Sequence, residues 1–269
     1  MSEKYYYRAR VQYDGSGYKG FQWQEGMPTI QGELLRALRE VAGDSSSLRG
    51  ASRTDAGVHA LGQVVRLVTA EELDPEKGLL LLNESLPRQI RVRDIRKSEK
   101  SFVFSQEVVS KEYRYFFTTT PGEDGSQRRF IANHPYAFDA VLVRRCLEYL
   151  KGEQNFQNFA SVGEHGRSSL RRIISCELEL TDPREVLGAN ELFPISDEIT
   201  SCYQLRIEGD GFLKHMIRNL IAALWKVGSG RLAEEEFEAL LLGKERVRPG
   251  WKLASPKGLF LYQVRFDRV

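Results

Sequence analysis

What most constrains the fold of this chain is that each half opens on a strand-like run and then turns into helical periodicity. Tyr5–Tyr13 is dense in aromatic residues and ends at the turn Asp14-Gly15-Ser16-Gly17, while residues 111–118 are dominated by aromatic and β-branched side chains. After the first run, Pro28-Thr29 supplies a turn and an N-cap, Ile30, Leu34, Leu38 and Val41 recur at helical spacing, and Gly43 ends the pattern. Strands are expected at 63–67 and 90–95, with a leucine-rich helix around 79–82 between them. The second half follows the same outline: a turn at 121–126, a helix at 139–150, strands at 173–180 and 202–208, a long helix at 211–227, an acidic helix at 233–242 and a final strand at 259–266. Residues 181–199, with Asp182-Pro183 and Phe193-Pro194, read as an irregular excursion. This order predicts an α+β fold, with a mixed or antiparallel sheet covered by helices and two halves, 1–105 and 106–269.

Composition narrows the class further. In 269 residues, 41% hydrophobic and 28% charged, the chain has enough apolar material for a sizeable core. No uninterrupted apolar run approaches the roughly 20 residues a membrane helix needs, and the N-terminus carries no signal-peptide core, so a soluble, cytoplasmic protein is expected. Cys146, Cys176 and Cys202 are widely spaced, which suits reduced core thiols better than a disulfide framework or a zinc site. Thirty-nine Lys and Arg against 37 Asp and Glu leave a net charge of +2, so an interaction with a polyanion would rest on how charge is distributed. Basic residues gather at Arg88, Arg91 and Arg93 and at Arg171 and Arg172; acids gather at 234–238. Any one of these clusters is equally well an ordinary solvated face.

Gly15-Ser16-Gly17-Tyr18-Lys19-Gly20 formally matches a dinucleotide-binding turn. Such a turn needs a helix to begin at once, so that its N-terminus faces the pyrophosphate, whereas here the helix is delayed to about Thr29. We read a tight connecting loop instead.

The segment richest in chemistry is Arg53-Thr54-Asp55-Ala56-Gly57-Val58-His59-Ala60, between a polar loop and a strand. In extended chain, residues two apart share a side, so Arg53 is placed to keep the Asp55 carboxylate ionised and oriented. Gly57 and the small Ala56 and Ala60 allow a bend and the close approach of a substrate. An aspartate beside an arginine in a turn is more often structural than catalytic, and His59 is more readily a packed or RNA-contacting residue than an acid-base group.

At this point the sequence resembles the TruA-type family of tRNA pseudouridine synthases, with pieces in family order over nearly the whole chain. They are Tyr13-Asp14-Gly15 with Gly20-Phe21-Gln22; Thr29-Ile30-Gln31; Arg53 to Ala60 as above; Leu82-Asn83 with Leu86-Pro87; Lys111-Glu112-Tyr113-Arg114-Tyr115; Phe212 with His215-Met216-Ile217-Arg218-Asn219; and Gly258-Leu259-Phe260-Leu261. The resemblance implies a pseudouridine synthase fold, with two α/β halves joined through a mixed, mainly antiparallel sheet and flanking helices. It further implies that Asp55 is the essential aspartate, that Arg53 and Arg218 are basic partners, that Tyr113 contacts the target base and that Leu259 lines the pocket. A homodimer acting on the anticodon stem-loop of tRNA, with neither cofactor nor metal, completes the expectation. Phe102-Val103-Phe104-Ser105 stands where many relatives have Phe-His-Ala-Arg, and 169–173 follows the usual Thr-x-Arg pattern only loosely.

The chemistry suits these residues. Moving the glycosidic link of uridine from N1 to C5 imports no atoms or electrons, so a carboxylate and groups that retain the loosened uracil suffice. Lys214 and Arg218, four apart, are expected on one helical face and Leu213, Ile217, Leu220 and Leu224 on another. A flipped uridine gains from stacking on Tyr113, while Tyr115, Phe116 and Phe117 read as core. The competing reading is a non-catalytic RNA-binding module or chaperone.

Overall fold

The computed structural model describes residues 4–119, 129–161, 168–188, 190–243, 247 and 250–267. The expected turn at 121–126 lies outside them. The chain forms two compact units: Met1–Val109 with Asn190–Phe193 and Phe260–Val269, and Ser110–Ala189 with Pro194–Leu259. Each has the α+β character that the sequence patterns predict.

In the first unit, β1 (Tyr5–Tyr13) alternates strictly, burying Tyr7, Ala9, Val11 and Tyr13, as a strand with one core face must. It pairs antiparallel with β3 (His59–Thr69) on one side and β4 (Ile90–Lys97) on the other. β2 (Ser47–Gly50) adds to β3 antiparallel, and β10 (Leu259–Phe266) joins it in parallel through Phe260 and Leu261. β3 is therefore internal and buried on both faces, which is why it begins four residues earlier than the expected 63–67. Helix α1 (Ile30–Ala42) is capped by Thr29, whose side chain accepts the Gly32 N–H, and buries Ile30, Leu34, Ala37 and Leu38. It packs on β2 and on α2 (Pro75–Ser85), which in turn covers β4. A single turn, α3 (Phe104–Glu107), follows β4.

In the second unit, β5 (Val108–Thr118), β9 (Cys202–Gly209), β8 (Leu170–Thr181) and β7 (Gly152–Asn155) form an antiparallel sheet in that order, with the short β6 (Ala132–Asn133) parallel to β5. Helix α4 (Ala140–Leu150), capped by Asp139 on the Val141 and Leu142 N–H groups, packs on β8, on α6 (Met216–Gly228) and on α7 (Glu234–Leu242). The excursion at 181–199 is largely irregular but contains the short α5 (Pro183–Leu187). All three cysteines are buried and unpaired, and burial pushes the Cys146 thiol up to about 11 and those of Cys176 and Cys202 up to about 12. Among the described residues no helix is long and apolar enough to cross a membrane.

One expected helix is corrected. α6 starts at Met216 rather than 211, because His215 adopts a left-handed conformation, φ 63°, at its N-cap, a geometry that interrupts a right-handed helix. Lys214 thus lies in the preceding turn, off the helical face that carries Arg218. The expected stripe survives on the helix as Ile217, Leu220 and Leu224, while Leu213 is buried just ahead of it.

Candidate active site

Asp55 opens a tight turn whose closing bond runs from the Val58 N–H to the Asp55 carbonyl, 3.1 Å. Gly57 takes φ 76° inside that turn, a conformation that costs glycine nothing. Burial alternates along the approach, with Ser52 and Thr54 inward, Arg53 exposed and Asp55 half-buried, so Arg53 and Asp55 do point outward together. Arg53 nevertheless makes no ion pair among the described residues; its guanidinium extends into solvent rather than clamping the carboxylate.

What holds the turn lies on its inward side. The Tyr13 hydroxyl is 2.8 Å from Thr54 Oγ1 and accepts a longer, 3.4 Å bond from Gln63 Nε2. The Gln63 amide also accepts the Ser52 N–H at 3.2 Å and donates to the Ser52 carbonyl at 2.8 Å. These polar groups are buried, where each unmade bond costs about 1–3 kcal/mol, so the segment leading to Asp55 is strongly specified. The loop after β1 closes from another side: Phe21 N–H donates to the Thr54 carbonyl at 3.0 Å and Gly57 N–H to that of Tyr18 at 3.3 Å. The glycines of the declined dinucleotide motif serve here. A Cβ on Gly15 would lie 2.0 Å from the Val58 carbonyl oxygen, and one on Gly20 would lie 2.8 Å from that of Thr54.

His59 is fully buried, stacked on Phe260 at 4.8 Å and edge-on to Phe193 at 6.1 Å, which makes it a packed residue rather than an RNA contact. Its Nδ1 is 3.1 Å from both the Gly15 N–H nitrogen and Asp14 Oδ1. The bare tautomer accepts from Gly15 and the protonated one donates to Asp14, so the atom serves one of them at a time. Burial works to raise the Asp14 carboxyl, but the hydrogen bonds from His59 and from the Ser16 N–H outweigh it and leave Asp14 below the ordinary carboxylate range. Phe193 comes from the short stretch 190–193, anchored by Asn190, which donates to Gln12 Oε1 at 2.7 Å and accepts from Arg93. Arg91 and Arg93 also face Glu191, so this basic cluster is partly neutralised.

The other expected site residues belong to the second unit. Tyr113 is buried on β5 and edge-on to Phe212 at 5.3 Å. Arg218, in the first turn of α6, is half-buried; its Nε donates to the Ala254 carbonyl at 2.7 Å, and the Ala254 N–H donates back to the Arg218 carbonyl at 3.2 Å. Leu259 is buried at the start of β10. Tyr115, Phe116 and Phe117 are core residues as expected. The supporting residues Tyr13, Asp14, Thr54 and Gln63 were not singled out from the sequence as site residues; their signal is polar side chains on inward-facing positions of strand and turn.

Comparison with known proteins bears on the same segments. A family model described as tRNA pseudouridine synthase matches residues 9–103 and 147–267. The tRNA pseudouridine synthase A of Bacillus pumilus is 32% identical over 262 residues, spanning 97% of this chain and 98% of the relative. That of Brevibacillus brevis is 32% identical over 258 residues, 96% and 98% of the two chains. The tRNA pseudouridine synthase A 2 of Desulfotalea psychrophila is 32% identical over 270 aligned positions, 96% and 98%. On a match of this extent, with the clamped Asp55 turn inside it, the chain belongs to the tRNA pseudouridine synthase family.

Proposed function

We propose that this protein isomerises uridine to pseudouridine in the anticodon stem-loop of tRNA, as a homodimer, with Asp55 as the catalytic carboxylate. The observation that carries the reading is a half-exposed aspartate on a turn held rigid from its buried side, in a chain of this family. Catalysis gains from a carboxylate fixed before substrate arrives, since misplacement by about 1 Å costs on the order of 100-fold. Attack at C1′, attack at C6 and removal of the 2′ proton each begin with an ionised carboxylate. Arg53 serves as a cationic partner of the substrate and Arg218 of substrate or carboxylate, Tyr113 as a stacking surface for the flipped base, worth about 1–3 kcal/mol per base, and Leu259 as an apolar contact. Neither metal nor cofactor enters the scheme.

The test is tritium release from tRNA labelled at uridine C5, in the presence of chelator. Wild type is expected to release it, and Asp55→Asn to bind the same tRNA while releasing none. Binding without release by wild type supports an RNA chaperone instead. Release that persists in Asp55→Asn removes Asp55 from the mechanism.

A further inference from the structure

The corner of the second unit where β5 begins, β8 begins and β9 ends gathers three basic residues, Lys111, Arg171 and Arg172. Lys111 sits opposite Gly209 on β9, and Gly209 also faces Ile173, next in β8 to Arg171 and Arg172. Arg171 reaches over this junction, its Nε 3.6 Å from the position a Cβ on Gly211 would take. Its own donors go to backbone carbonyls, those of Ser168 and Leu170. Lys111 and Arg171 are both half-buried, and neither makes an ion pair among the described residues. Burial and then the nearby Arg171 push the Lys111 ammonium below the usual lysine range. Carboxylates in the neighbourhood are otherwise engaged. Asp210 Oδ1 accepts the Arg172 N–H at 3.0 Å. Glu112 and Glu208, adjacent to this face in sequence and register, are taken by Arg114, Arg206 and Ser110.

Two half-buried cations side by side, neither in an ion pair among the described residues, are costly in the free protein, and such local conflicts mark sites where something else binds. The partner must be an anion. Lys111 is two residues from Tyr113 on β5, hence on the same face and about 7 Å along the strand. We propose that Lys111 and Arg171 form a binding site for one backbone phosphate of the RNA substrate, flanking the uridine presented to Tyr113. This rests on the reading of the protein as an RNA-modifying enzyme.

The experiment measures affinity for an anticodon stem-loop as a function of salt, for wild type, Lys111→Gln, Arg171→Gln and the charge control Lys77→Gln, an exposed lysine of α2. Losing one phosphate contact reduces the slope of log affinity against log salt by about 0.7–0.9 and weakens binding about tenfold, the loss expected for one charge-assisted contact. Lys111→Gln and Arg171→Gln are expected to show this and Lys77→Gln to show neither. Neutralising the phosphate next to the target uridine as a methylphosphonate should erase the difference between wild type and Lys111→Gln. Lys111→Gln should also melt no lower than wild type, because it removes an unpaired cation. Wild-type slope and affinity in both site variants, an equal effect in Lys77→Gln, or failure of wild type to bind RNA overturns the proposal. If wild type binds with the predicted variant effects yet forms no pseudouridine, the phosphate site stands and the enzymatic reading falls. If wild type is active and the variants bind normally, only the phosphate site falls.

Discussion

Gly20→Ala separates the two reasons for a glycine beside the Asp55 turn. Gly20 has φ +97°, outside the favoured left-handed well, and a residue with a side chain held there carries about 1–3 kcal/mol of strain. The added Cβ would also stand 2.8 Å from the Thr54 carbonyl oxygen and 3.3 Å from Ala56 N and Asp55 C. Those are backbone atoms and cannot swing aside as a side chain would, so the turn itself must shift, at a further cost of about 1–3 kcal/mol. The sum, about 2–6 kcal/mol, lowers Tm by about 2–4 °C per kcal/mol in a protein of roughly this size. The shift also moves the carboxylate, and a displacement on the order of 1 Å lowers kcat about 100-fold. Gly17→Ala is the matched control: φ is +84°, but nothing lies within 4 Å of its Cβ position, so it should lose stability by strain alone and keep its rate. Thermal unfolding and tritium release at saturating tRNA, at a temperature where both variants are folded, give the comparison. If folded Gly20→Ala turns over as fast as Gly17→Ala, close approach at Gly20 does not position Asp55.

Two further outcomes follow from buried polar groups. Tyr13→Phe deletes a fully buried hydroxyl bonded to Thr54 and Gln63; urea unfolding should show a loss of about 1–3 kcal/mol, with kcat falling more than KM changes, and an unchanged midpoint would mean the hydroxyl does not anchor the turn. His134 is 5% exposed and stacked on Trp225, and burial, then Arg231, lowers its pKa to about 4. The unfolded chain therefore binds a proton between about 6.5 and 4 that the folded one refuses, so stability is full above that window, falls by about 3 kcal/mol as pH drops through it, and levels off below. His134→Phe should flatten the urea midpoint between pH 7 and 5; an equal slope in both proteins would refute the assignment.

Much of the local structure was legible because its causes are local. The Thr29 cap with Ile30, Leu34 and Leu38, the helix expected at 139–150, and the aromatic runs of β1 and β5 are written within a few residues and appear where expected. Position 211 looked helical for the same reason, since the apolar spacing around Leu213 continues that of α6; the left-handed His215 that breaks it has no periodic signature. The short strands β2, β6 and β7 also escaped, since four residues or fewer hold no period and exist only because β3, β5 and β8 offer open hydrogen bonds.

The sequence by itself determined the longer elements and the family, and pointed to the residue proposed as catalytic, Asp55, because spacing, caps and an ordered set of motifs are properties of the chain as written. Tertiary structure alone decided how that residue is held. Tyr13, Thr54 and Gln63, up to 50 positions apart, meet behind the turn, Asn190–Phe193 returns to the first unit to back His59, and Arg53 is left in solvent. The physical reason is that hydrogen bonds between buried groups and contacts between backbones depend on which distant segments are brought together, and strand pairing, not local pattern, makes that choice.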